Sequence, residues 1–517
     1  MSRARLEHLI RERVRGERGP PFVGSPRRMV MAYPSPYRVG MSSLGYQRIT
    51  ALLRDAGIAA ERCFLPDDPD GWRRSRVAPF TYETGRPLSS FPLVAFSFAY
   101  ETELLGLVQL LEMAGIPPLR EDRTADHPLI LLGGPISMAS PAFLADFVDA
   151  ALLGEGEDVV VPGVEALFET SEREAWLDAI AALPGGWVPE RSGARLPPIA
   201  RAADTHLPAR SAWLCPEAEL ADMFLVEGER GCHRMCTFCV MRRTTNGGMR
   251  LVSPEALLDL VPPHARKVGL VGAAISDHPA LVELLEVLVR GGRTVSVSSL
   301  RADQIARKPA IAQLLRESGA RTLTTASDGA SERVRRTLRK GTTEAHLAAC
   351  ADQAAAVGFS TFKIYMMLGV PGETDEDVDE LISFTTALAR RAAPARIVMG
   401  VAPFVSKRGT PLDGRPFAGI DVVDDRVRRL RRGLRGTAEV RPTSARWAWI
   451  EYVLAQGGAK TGRALYEGWQ AGGRFADLRD ALASVDPASA RPWGSYEEPL
   501  VDVPVHRAPV AVALTGG

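Results

Sequence analysis

Three of the six cysteines fall within eight residues, as Cys232-His-Arg-Met-Cys236-Thr-Phe-Cys239. Cysteine thiolates are soft ligands, and iron–sulfur clusters are held by them. A compact loop brings three thiolates to three corners of one four-iron cube and leaves the fourth iron open. An open coordination position separates a catalytic metal site from a closed structural one. Zinc is the competing occupant, but structural zinc prefers four closed ligands, commonly as two close-spaced pairs with a longer gap. The nearest fourth ligands are His233, inside the loop, and Cys215, seventeen residues before Cys232. His233 adjoins a cysteine, which makes joint tetrahedral binding awkward, so the spacing favours a cluster. Cys63, Cys215 and Cys350 are scattered and read as plain buried thiols. A disulfide framework would instead spread its cysteines along a small secreted chain.

The elements around the triplet alternate. A series of short apolar runs begins at MFLVEGERG (223–231) and continues with KVGLVGA (267–273), RTVSVSSL (293–300), RTLTTAS (321–327), STFKIYMML (360–368) and ARIVMGVAPF (395–404). Amphipathic stretches at 254–261, 279–291, 331–340, 343–358 and 375–391 separate them. Six βα units are too few for a closed eight-stranded barrel and predict a partial (β/α)6 TIM-type barrel. The triplet follows its first strand, where such barrels carry their active sites. Before this series lies another. MVMAYP (29–34), LVAFSFA (93–99), PLILLGG (128–134) and DAALLGEGED (149–158) read as strands, with helices at 43–57, 103–115 and 159–170. That alternation predicts an α/β, doubly wound parallel sheet.

The resulting domain reading is a charged leader at 1–28, a sheet domain at 29–183, a Pro/Gly/Arg/Ala-rich linker at 184–213, a barrel at 214–411 and a small, mostly helical C-terminal extension at 412–517. At 517 residues, with 46% hydrophobic and 24% charged residues, the chain has the composition of an ordinary soluble protein. Lys plus Arg total 63 against 62 Asp plus Glu, for a net charge of +1. It is therefore no polycation built to neutralise nucleic-acid phosphates. The arginine-rich stretch 424–436 is flanked by Asp421, Asp424 and Asp425 and reads as a solvated helix face. The N-terminus lacks the apolar core of a signal peptide and no run is long enough to span a bilayer, so a cytoplasmic location without a membrane partner is expected.

CxxxCxxC after the first strand of a βα series, with the aromatic Phe238 before the third cysteine, resembles the radical S-adenosylmethionine superfamily. The resemblance spans about residues 222–411. It implies that Cys232, Cys236 and Cys239 bind a 4Fe-4S cluster whose fourth iron is chelated by S-adenosylmethionine, and that one-electron reduction of the bound cosubstrate starts radical chemistry. It places Phe238 near the adenine and Gly272 of VGLVGAA (268–274) near the methionyl amine, although that stretch lacks the family's acidic residue. Ser298 and Arg301 of VSVSSLRAD (295–303) fall near the ribose or carboxylate, and Asp328 where relatives carry Glu. Gly369 joins the cofactor-binding positions through KIYMMLGVPGET (363–374), in which Pro371 and Gly372 shape a turn and Glu373 helps cap the next helix. Read from the residues alone, Ser298 could equally end a strand, Arg301 be an exposed helix-start charge, and Asp328 an N-cap for the next helix.

The sheet domain resembles the cobalamin-binding-like, Rossmann-type region of related radical enzymes through YPSPYRVGMSSLGYQ (33–47), VAFSFAYETE (94–103), GGP (133–135) and GEGED (154–158). No Asp-x-His-x-x-Gly pattern occurs there; Asp204-Thr205-His206 lies in the linker without the glycine. Gly133, Gly134 and Gly154 sit at strand ends, where backbone can approach a ligand or merely turn. Cobalamin therefore stands as an alternative cofactor, and a cobalamin-dependent methyltransferase as the alternative reaction. An external electron donor such as a ferredoxin or flavodoxin is implied, with an unknown substrate and nucleic acid disfavoured. The reading of another class is a non-catalytic zinc- or cluster-binding module.

Overall fold

The computed structural model describes residues 2–170, 172–192, 195–241, 248–485 and 510–512. Two compact units emerge. One runs to Met223 and takes up the chain again from Val453; the other runs from Phe224 to Tyr452.

The first unit is built on a six-stranded sheet: β1 (Arg28–Tyr33), β2 (Ala59–Phe64), β3 (Leu93–Ser97), β4 (Leu129–Gly133), β5 (Ala150–Leu152) and β6 (Gly186–Trp187). The spatial order is β2-β1-β3-β4-β5-β6. Every pairing is parallel except the last. The strands β1 and β3 are near-continuous apolar runs buried on both faces, as helices on both sides of a parallel sheet require. Strand order reverses between β1 and β3. The loops at their C-terminal ends, residues 34–43 and 98–103, flank the crevice where open α/β sheets bind ligands.

Strand β2 escaped the sequence reading because its centre is Glu61-Arg62. All six of its residues are nonetheless buried. The hydroxyls of Thr81 and Thr84 donate to Glu61, while Arg62 donates to Glu17 at 2.8 and 2.9 Å and to Glu83 at 2.6 Å. Glu17 ends the N-terminal helix Arg3–Gly16, whose Leu6 and Ile10 are buried in the same core. The charged leader is thus part of the sheet's packing. The linker is likewise integrated. It supplies β6, and its residues 200–206 bind the end of β5: Ala200 N–H donates to Leu153 O, Glu155 N–H to Ala200 O, Ala202 N–H to the Glu155 carboxylate, and His206 pairs with Asp158.

The helices Ala459–Gln470 and Phe475–Ala483, expected as part of an extension, pack on this first unit. Arg463 pairs with Asp146 and Glu121, and Trp469 donates to Glu112. A Cβ at Gly462 would lie 1.9 Å from the Phe143 carbonyl oxygen, so only glycine allows that approach.

The second unit carries β7 (Met223–Glu227), β8 (Glu229–Arg230), β9 (Arg250–Val252), β10 (Lys267–Val271), β11 (Thr294–Val297), β12 (Thr322–Asp328), β13 (Thr361–Leu368), β14 (Arg396–Pro403), β15 (Ala438–Pro442) and β16 (Val510–Val512). Its sheets run β11-β10-β7 and β12-β13-β14-β15, with β16-β9-β8 as a small addition. Helices join successive strands from β10 to β15, which is the expected partial-barrel series. The run 223–231 forms two short strands, β7 and β8, and β9 and β15 were not among the sequence's six runs. In β15 only alternate residues are half-buried, and the open face carries Glu439 paired with Arg441, a short and polar pattern that periodicity does not distinguish from a loop. The basic stretch before it is the helix Ile420–Gly433, on which Arg426 and Arg429 pair with Asp375, and Arg429 also with Asp379.

Candidate functional site

β8 ends at Arg230, and Gly231, at φ +92°, turns the chain into the cysteine loop. Cys236 is buried and Cys232 and Cys239 are half-buried. Two anchors hold the loop. At one end Thr237 N–H donates to Leu338 O at 3.0 Å, and Phe238 packs against Val334, Leu338, Val370 and Phe404. Near the middle, Arg234 forms a bidentate pair with Asp277 in the turn after β10. Burial pushes the Cys232 thiol up to about 11 and raises Cys239 as well. Metal ligation through these thiols would therefore have to displace their protons.

The other expected positions gather at the same C-terminal strand ends. Gly272 N–H donates to Ser298 Oγ at 3.1 Å, and the Ser298 hydroxyl donates back to Gly272 O at 3.0 Å. A Cβ at Gly272 would lie 2.3 Å from Glu229 Oε1. Glu229 is fully buried, accepts from Ala274 N–H at 2.6 Å, and its Oε2 has no partner among the described residues. Burial pushes its carboxyl up to about 8. Sequence reasoning passed over Glu229, although an acidic residue three positions before Cys232 at a strand end was a visible signal.

Arg301 is no exposed helix-start charge. It is buried, donating to Asp303 at 2.9 Å and to Lys340 O at 2.6 Å. Asp328, at φ +59°, ends β12 beyond a register shift and pairs with Lys340 at 2.5 Å; Ser331 caps the following helix instead. Gly369, at φ +81°, donates its N–H to Glu373 at 2.8 Å. The cap expected of Glu373 is made by Thr374 and Asp377. Glu373 is committed to Gly369 and Arg426, because its side chain turns back under the loop rather than along the helix start. On β13, Phe362, Ile364, Met366 and Leu368 are buried, while Tyr365 on the opposite face is 46% exposed and lies 2.6 Å from Lys363 Nζ. Gly400 of β14 makes room for the Tyr365 ring.

In the first unit, Ser35 after β1 donates to Glu103 after β3 at 3.0 Å, across the strand-order reversal. Ala99 N–H donates to the same carboxylate at 2.6 Å. Burial pushes Glu103 up to about 7. Gly134 and Gly154 serve close packing within the chain. A Cβ at Gly134 would meet the Phe98 backbone at 2.6 Å, and one at Gly154 the Ala200 backbone at 2.4 Å.

Residues 45–189 match the family model for radical S-adenosylmethionine proteins, N-terminal, and residues 227–385 match that of the radical S-adenosylmethionine superfamily. The chain belongs to the radical S-adenosylmethionine superfamily. The second match contains the whole cysteine loop. This radical S-adenosylmethionine protein is 24% identical over 399 residues to Uncharacterized protein MJ0966 of Methanocaldococcus jannaschii, covering 76% of this chain and 80% of that protein. Two structures of the radical S-adenosylmethionine methyltransferase TsrM from Kitasatospora setae share its fold at 16% identity. One, with tryptophan substrate and a S-adenosylmethionine analogue bound, gives a TM-score of 0.51 and covers 77% of this chain and 76% of that one. The other, with cobalamin and a [4Fe-4S] cluster bound, gives 0.52 and covers 78% of each. As a member of its superfamily, the protein is an enzyme that needs an electron donor and a substrate. Among the described residues, no helix is long and apolar enough to cross a membrane.

Proposed function

We propose that this protein cleaves S-adenosylmethionine reductively and uses the resulting radical on a substrate. The observation that carries the reading is the three-thiol loop at the C-terminal end of β8, fixed at Arg234 and at Phe238. The donor set fits the group: three thiols supply three corners of a cube, and a fourth position stays open for a ligand. Cys232, Cys236 and Cys239 would hold a 4Fe-4S cluster, which when bound supplies the electron for sulfonium cleavage. The chain's own part is to hold that loop, to present the Gly272–Ser298 shelf with Glu229 beneath it, and to wall the substrate side. The open face of β13 with Lys363 and Tyr365 supports such a wall. A ferredoxin or flavodoxin is the donor class we assign.

The test is anaerobic reconstitution with iron and sulfide, then dithionite and S-adenosylmethionine, with 5′-deoxyadenosine as the readout. Product from the native chain and none from Cys236→Ala supports the reading. Bound zinc, with neither cluster spectrum nor nucleoside, overturns it in favour of a non-catalytic module.

A cobalamin-dependent methyl transfer is the second reading. It is favoured by the β2-β1-β3-β4-β5 order of the first unit, whose strand reversal carries the Ser35–Glu103 contact. Its test is a corrinoid absorbance retained by the native chain after incubation with cobalamin and desalting, together with a methylated product; a native chain that retains no corrinoid rules it out.

A further inference from the structure

Arg234 stands two residues after Cys232 and two before Cys236. Its Nε donates to Asp277 Oδ2 at 2.7 Å and its Nη2 to Asp277 Oδ1 at 2.5 Å. The same Nη2 reaches Asp303 Oδ2 at 3.2 Å. Both acid side chains are nearly inaccessible, at 2% and 5% exposure. Asp277 follows β10 and also accepts from the Gln304 amide. Asp303 follows β11 and also holds Arg301 and Arg307. A single guanidinium therefore ties the middle of the cysteine loop to the turn after β10 and to the helix Ala302–Arg307 after β11. The planar fork fixes direction as well as distance, which a point charge on a flexible stem does not.

Surface ion pairs are worth little, but both carboxylates are buried, and Arg234 is the arginine paired with Asp277, where His233 Nε2 stands farther off at 3.6 Å. Burial alone would push the Asp277 carboxyl up, yet Arg234, with Arg301 and His233 nearby, offsets this and holds it below the ordinary range. The arrangement continues past the loop: Arg301 donates to Lys340 O, and Lys340 pairs with Asp328. No step of cosubstrate cleavage calls on Arg234, and a solvated loop residue would not hold two buried acids.

We propose that Arg234 is the positioning residue of the metal loop, setting the separation of the Cys232 and Cys236 thiols before metal arrives. The inference rests on the cluster reading above and names a residue between the ligands that this chain uses to hold them. Residues just outside a metal's ligands orient those ligands, and their loss commonly costs about 10–100-fold in metal affinity. Removing Arg234 alone would also strand buried negative charge. Separating orientation from that penalty requires a second substitution.

The experiment reconstitutes the full chain anaerobically as native protein, Arg234→Lys, Arg234→Met and Arg234→Met/Asp277→Asn. Iron and sulfide per chain, the electron paramagnetic resonance spectrum of the reduced cluster and the rate of bleaching by a ferrous chelator are read for each. Far-ultraviolet circular dichroism checks the fold. Arg234→Met should bleach about tenfold faster than native with altered resonance positions, in line with lost outer partners. Arg234→Lys, which keeps charge without the fork, should fall between. The double variant, relieved of the stranded charge, should stay as labile as Arg234→Met. A double variant as stable as native would show that only the buried charge mattered and would overturn the proposal, as would an unchanged Arg234→Met. If Arg234→Met does not fold, Arg234→Lys decides: bleaching at the native rate overturns the proposal. A native chain that takes up no cluster overturns the proposed function and this inference with it, whereas a stable native cluster with indifferent variants overturns this inference alone.

Discussion

Replacing Glu103 with Gln should raise stability at neutral pH and leave it nearly unchanged in mild acid. Glu103 is 2% exposed, at the end of β3, with Ser35 Oγ and Ala99 N–H as its partners. Burial is the dominant influence, pushing its carboxyl from 4.5 to about 7 against the smaller pull of Ala99 N–H, the Ser35 hydroxyl and the Tyr100 backbone N–H. Below 4.5 the group is protonated both folded and unfolded and contributes no pH dependence. Between 4.5 and 7 the unfolded chain has released its proton while the folded chain still holds it. Folded stability therefore falls as pH rises through that window, and the loss is complete above it. At about 1.4 kcal/mol for each pH unit, the loss is on the order of 3 kcal/mol. A glutamine keeps the shape, accepts from Ala99 N–H, donates to Ser35 Oγ and carries no titrating proton. Urea unfolding of parent and variant, followed by circular dichroism at several pH values, gives the difference directly. Contributions from Glu229 and Glu373 are common to both proteins and cancel. The variant's advantage should grow by about 3 kcal/mol between roughly pH 4.5 and pH 8. A flat difference, or an advantage to the parent that grows with pH, would mean that Glu103 is ionised at ordinary pH and that its donors outweigh its burial.

Arg62→Met should cost about 3–5 kcal/mol in chemical denaturation, because it leaves Glu17 buried without its cation and Glu83 with Arg54 alone; pairing it with Glu17→Gln should recover part of the loss, and a cost below 1 kcal/mol would show that water reaches the site. Gly106→Ala should lower the thermal midpoint, since its Cβ would lie 1.9 Å from the Pro34 carbonyl oxygen in backbone that cannot rotate away. The about 1–3 kcal/mol of overpacking then exceeds the helix-propensity gain of roughly 0.5–1 kcal/mol, and a raised midpoint would refute it. Cys350→Ala should leave iron per chain unchanged, because that thiol is buried among the helices with its sulfur on Ala302 O and is pushed up to about 12; iron lost in step with Cys236→Ala would assign it to the site. Stripping iron with a chelator should bleach the visible absorption while the far-ultraviolet signal persists, as the loop tops strands that pack without it; joint loss of both signals would make the metal structural.

Spacing and period carried much of this protein into view. Three cysteines in eight residues point to a thiolate metal site without help from distant neighbours, because a short loop keeps all three ligands within reach of one cluster. The apolar runs of β1, β3, β4 and β10 were legible for the same local reason, since a parallel strand covered on both faces reads as nearly unbroken hydrophobicity. Gly369 and Gly372 announced their turn, and both adopt positive φ.

What stayed hidden depends on partners distant in the chain. Arg62 and Glu61 look like surface residues until Glu17, Glu83, Thr81 and Thr84 come from elsewhere to satisfy them, so β2 was missed. For Arg301 the sequence left a cofactor-facing side chain and an exposed helix-start charge side by side, and only the approach of Asp303 and Lys340 excluded the exposed one. Glu373 looked like a cap until Arg426, fifty-three residues on, claimed it. Arg234 sat in plain sight between two cysteines, but nothing local links it to Asp277 and Asp303, which arrive on a turn and a helix after two later strands. Ligand type and local period are properties of adjacent residues and were settled by the sequence itself. Whether a charge is buried, paired or free is a property of whichever strand ends the fold brings around it, and only the tertiary structure decided that.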